Sequence, residues 1–207
     1  MRELMEIPTS CSTYTKADRH VRWLQGITLG WMLVECAGAI LAASRAHSVA
    51  LLAFGSDSLV ELLSATIVLL QFTRGFRISP KKAARVAGNL LFVLAGVVGL
   101  AAVAALAGRV NAERSLLGIS ITVAALVIMP VLAWLKRRQA RVTGDRALAA
   151  DAIQSATCAY LAAITLAALC VQAFLPLWWL DPAAALCAIP ILAVEGMRAR
   201  KGDGCCC

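Results

Sequence analysis

Four acidic residues stand inside the first, second and fifth of the long apolar runs of this 207-residue chain: Glu35, Asp57, Glu61 and Asp151. A charged side chain near the centre of a bilayer costs at least about 2.5–3.5 kcal/mol, so each of the four needs a compensating use. No Lys or Arg is expected deep inside those runs. A buried acid without a base keeps its proton, lines water or binds a cation. Spacing narrows the choice. Asp57 and Glu61 are four apart in Gly55-Ser56-Asp57-Ser58-Leu59-Val60-Glu61, so a helix sets both carboxylates on one face. Asp151, Gln154, Ser155 and Cys158 form a second polar stripe at helical spacing. The two stripes carry oxygen, amide and sulfur donors on otherwise apolar helices. The same residues fit a plainer role. Buried acids, Gln and Ser can hold helices together through hydrogen bonds, and a lone Cys packs as a small hydrophobe.

The elements that position these residues follow from composition. The chain is 60% hydrophobic and 15% charged, against roughly half and a quarter in soluble domains. The apolar residues fall in blocks of about 20, enough to cross the hydrocarbon layer. Six spans are expected, at roughly 23–43, 49–72, 86–107, 115–135, 147–171 and 177–197. The expected fold is all-α, a six-helix transmembrane bundle. Residues 1–22 read as a flexible polar segment, 23–197 as the membrane domain and 198–207 as a Cys-rich tail. The spans leave no space for a soluble domain, and the opening residues lack the pattern of a cleaved signal peptide. From the helical rise, Glu61 and Cys158 lie about 16 Å deep and Glu35 about 18 Å deep. Asp151, only about 6 Å in, belongs to the inner mouth. Asp145 and Glu195 are expected at the interfaces, facing water.

Charge distribution sets the orientation. Seventeen Lys and Arg lie on the side of the N-terminus and three on the other, which by the positive-inside bias puts both termini in the cytoplasm. Trp178 and Trp179 suit an outer-interface anchor. The net charge of +8 thus reflects topology, and no nucleic-acid partner is implied. Cys11 and Cys205–Cys207 fall in cytoplasmic segments where thiols stay reduced, so no disulfide framework is expected. No Ser or Cys is placed with a His base, and no Gly-rich nucleotide loop is present, so neither an enzyme nor an ATP-driven pump is expected.

The acid pair four apart on the second span, together with Ala150-Asp151-Ala152 opening the stripe on the fifth, resembles the cation diffusion facilitator family. The resemblance covers about residues 20–197. In that family Asp-x-x-x-Asp on span two and His-x-x-x-Asp on span five hold zinc or a similar ion. Asp57, Glu61, Gln154 and Cys158 stand at those four positions here, with Glu, Gln and Cys replacing Asp, His and Asp. The resemblance implies a secondary transporter that moves a divalent cation (zinc, cobalt, cadmium or similar) out of the cytoplasm by alternating access, coupled to protons, and the thiolate of Cys158 would favour such softer ions over magnesium. Asp57, Glu61 or Cys158 would carry the proton, because Gln154 cannot do so as His would. Glu35, Asp151 and Ser155 would line the route. The family's cytoplasmic metal-binding domain has no counterpart after span six.

The metal is expected as cargo, with no prosthetic group, in a plasma (inner) membrane. Two further features remain open. The Cys205-Cys206-Cys207 tail suits capture of a soft cation or lipid attachment, though Gly204 rules out a prenylation box. The small residues of span three fit a homodimer contact and also ordinary bundle packing. The competing function is a metal-responsive or structural membrane subunit that does not transport.

Overall fold

The computed structural model describes residues 11–71, 80–144, 146–175 and 177–201. Six helices follow in order: α1 (Cys11–Ala46), α2 (Val49–Gln71), α3 (Pro80–Gly108), α4 (Leu116–Thr143), α5 (Arg146–Phe174) and α6 (Leu180–Lys201). The described residues contain no strand. Five helices carry an apolar stretch of 19 to 27 residues, long enough to cross a membrane. Large apolar side chains also cover the outside, with Leu100 74% and Val127 64% exposed. Water does not favour such a surface over so many residues, and lipid does. The architecture is that of a multi-pass membrane protein.

The helix ends follow local chemistry. His47 takes a left-handed turn (φ 51°) between α1 and α2, and Arg109 does the same (φ 49°) after α3. Ser115 caps α4 by accepting a hydrogen bond from the Gly118 amide at 3.0 Å. Gly144 ends that helix at φ 66°, a conformation that suits a residue without Cβ. Pro80 opens α3, where its missing N–H costs nothing.

Several helices outrun the apolar spans. α1 begins at Cys11, so part of the segment expected to be flexible is helical. α4 continues through Lys136, Arg137 and Arg138 to Thr143. The physical reason is shared: neither extension contains Gly or Pro, so the change from apolar to polar does not break the helix.

α1 packs on α2 and α4, α4 on α5, and α3 on α6. α2 lies among α1, α3, α5 and α6, so the helix with the acid pair has protein on several sides. α3 and α6 approach until their backbones nearly touch. A Cβ built on Gly88 would sit 2.7 Å from the Gly196 carbonyl oxygen. The main core joins Met32, Phe54, Leu91, Met129, Leu161 and Leu192, one from each helix, with Cys158 among them.

Candidate functional site

The start of α2 is held from a distance. Asp181, in the first turn of α6, accepts hydrogen bonds from the Val49 amide at 2.7 Å and the Ala50 amide at 3.3 Å. Its other oxygen accepts from the Ser48 hydroxyl at 2.5 Å, and Ser48 Oγ in turn accepts from the Leu51 amide at 3.1 Å. One carboxylate and one hydroxyl thus serve three of the amides that a helix start leaves without partners. This fixes the helix that carries Asp57 and Glu61.

Deeper along α2, the Ser58 hydroxyl lies 2.7 Å from Glu35 Oε1 on α1 and 3.1 Å from the Phe54 carbonyl oxygen. The Cys158 thiol on α5 donates to the same Glu35 oxygen, at 3.2 Å. Three helices meet in this cluster. Glu35, Ser58 and Cys158 are all buried.

A second cluster lies toward the end where α1 begins. Lys136 on α4 is completely buried and pairs with Asp151 Oδ2 at 3.0 Å and Glu61 Oε1 at 3.6 Å. Its Nζ donates to Ser155 Oγ at 2.7 Å, and the Ser155 hydroxyl donates to Glu61 Oε1. Gln25 on α1 donates its amide hydrogen to Asp151 Oδ2 at 2.9 Å. α1, α2, α4 and α5 are all joined through these groups.

Asp57 differs from both clusters. It is fully buried, and neither carboxylate oxygen has a hydrogen-bond partner among the described residues. The titratable side chains that act on it, Glu195, Glu61 and Glu35, are all acids. Glu195 on α6 is itself 9% exposed, with its Oε2 unpartnered.

These positions revise several expectations. The expectation that no base lies deep enough to neutralise the acids is wrong. Lys136 follows the apolar part of α4, but the helix continues past it and its long stem turns inward. Glu195, expected at a water-facing interface, is buried on α6, which packs against α2, α3 and α5. Asp151, 1% exposed, is a buried ion-pair partner of Lys136.

On the stripe of α5, Asp151, Ser155 and Cys158 face the interior while Gln154 is half-buried. Glu61 bonds Ser155 and Cys158 bonds Glu35, and the Cys158 thiol lies close enough to Glu61 to act on its carboxylate as well. Among the described residues, no three His, Cys, Asp or Glu side chains lie close enough to share one metal ion. Cys205, Cys206 and Cys207 lie outside the described residues. The sequence reading missed Gln25 and Ser58, which bond acids 126 and 23 positions away. The helical spacing of Ser58 beside the acid pair was an available signal for the latter. Neither a scan against protein-family models nor a search of curated proteins finds a match for this chain.

Proposed function

We infer that this protein is a membrane carrier for a divalent metal cation such as zinc, cobalt or cadmium. The observation that carries the reading is Asp57, a fully buried carboxylate with no hydrogen-bond partner for either oxygen among the described residues. An arriving cation would supply the missing positive charge and fill the free oxygens. Glu61, Glu35 and Cys158 are the groups on neighbouring turns or helices that would join it, with Gln154 entering if α5 turns. Collecting them around one ion requires the helices to rearrange, which fits alternating access.

In this reading both termini face the cytoplasm of a plasma or inner membrane, Asp151 lies on the cytoplasmic route, and transport runs outward against proton entry. The similarity of the two motifs to the cation diffusion facilitator family supports the direction. Purified protein in sealed vesicles, loaded with a metal-sensitive dye, tests the proposal. Zinc, cobalt or manganese should enter with wild-type protein and should not enter with Asp57→Asn. Zero flux for all three ions with wild type would end the carrier reading.

One observation favours a second reading. Lys136 already ties Glu61 and Asp151 into an internal network across four helices, as a structural membrane subunit would require. Under that reading Asp57→Asn leaves any ion flux unchanged.

A further inference from the structure

Lys136, Arg137 and Arg138 are consecutive bases on α4, yet only Lys136 is buried, while Arg137 and Arg138 are exposed. Leu132, Ala133, Lys136 and Ala140 form the inward stripe of this helix, so the ammonium group is delivered to the interior by helical period. There it meets oxygens of Asp151 at 3.0 Å, Ser155 at 2.7 Å and Glu61 at 3.6 Å.

The balance of this cluster is uneven. Two acids share one base, and the second oxygens of both acids, Asp151 Oδ1 and Glu61 Oε2, have no hydrogen-bond partner. A pair built only to hold helices together would need one acid, with its oxygens satisfied. Two acids and their free oxygens surround a position that the lysine already fills.

We propose that Lys136 is a tethered cation occupying the Asp151–Glu61 pair, and that cargo loads by displacing it. The proposal rests on the carrier reading and deepens it by giving the site a selectivity. A monovalent ion brings no more charge than the ammonium group it would replace, and it competes with a group held at high effective concentration. A divalent ion brings one charge more. Lys136 therefore makes the site exclude sodium and potassium and accept divalent cations.

Calorimetric titration of the purified full chain with cobalt(II), with and without added sodium chloride, tests this. Wild type should bind cobalt(II) with little effect of sodium beyond general screening. Lys136→Met should bind about tenfold more tightly or better, and sodium should then compete. Lys136→Arg should stay close to wild type. Because Lys136→Met leaves two acids without a base, Lys136→Met combined with Asp151→Asn restores the wild-type net charge of the cluster. This double variant should bind more tightly than Asp151→Asn alone.

If wild type binds cobalt(II) and removing Lys136 in either background leaves affinity unchanged or weaker, the tethered-cation proposal is overturned and the carrier reading stands. If neither wild type nor any Lys136 variant binds cobalt(II), zinc or manganese, both fall together.

Discussion

Asp181 Oδ2 accepts a hydrogen bond from the Val49 amide across 132 positions of sequence, at 2.7 Å. The first turn of α6 thereby closes the first turn of α2. Asp181→Ala should lower stability by about 1–2 kcal/mol, the usual effect of losing a helix cap. Asp181→Asn, which keeps an acceptor oxygen, should cost less. Thermal unfolding in detergent, followed by far-ultraviolet circular dichroism, would measure the difference.

Asp57→Asn makes the opposite demand on the two readouts. The side chain has no hydrogen-bond partner to lose among the described residues, so the variant should unfold within about 1 kcal/mol of wild type or above it. Metal flux should nevertheless disappear. Loss of both stability and flux would place Asp57 in the framework instead of the site.

Ser58→Ala removes a hydroxyl from Glu35 Oε1 and leaves the Cys158 thiol as that oxygen's remaining partner. The expected cost is about 1–3 kcal/mol, because the acid stays buried with poorer company. Cys158→Ala should cost less, since a thiol is a weak donor. If cells expressing Cys158→Ala and Glu61→Gln both keep full metal tolerance, the ligand assignment fails even where transport is real.

Much of this arrangement was legible in the sequence. All six helices lie where apolar blocks of about 20 residues predicted them, and the four-residue spacing of Asp57 and Glu61 did place two buried acids on α2. The stripe on α5 was readable because Asp151, Ser155 and Cys158 keep helical period. Lys136 was not legible. An apolar window stops at the first base, whereas the helix stops where the backbone can no longer continue, at Gly144. Glu195 was misplaced for the same reason, being judged by its distance from the end of a span. Asp181 could not be read at all, since its role exists only once α2 and α6 lie side by side.

Lys136→Met should be the most destabilising of the single changes, by about 3–5 kcal/mol, since it leaves Asp151 and Glu61 buried without their base. Adding Asp151→Asn should recover part of the loss. Non-additivity of the two changes in urea or heat unfolding would measure the coupling.

Gly88 and Gly96 lie on the same helix and make a controlled comparison. Gly88→Ala drives a methyl group to 2.7 Å from the Gly196 carbonyl oxygen and should cost about 1–3 kcal/mol. A Cβ at Gly96 meets nothing within 4 Å, so Gly96→Ala should stay within about 1 kcal/mol of wild type.

The short left-handed turn at His47 has a mechanical consequence. At that end, α1 passes into α2 through His47 and Ser48, and the Ala46 carbonyl oxygen accepts from the Glu113 amide at 2.8 Å in the loop before α4. Asp181 pins α6 to the same place. This end behaves as the closed end of a pair of tweezers, with four helices tied together there. At the far end the joints are the side-chain contacts of Gln25, Lys136 and Asp151, where any separation of the helices would have its longest lever arm.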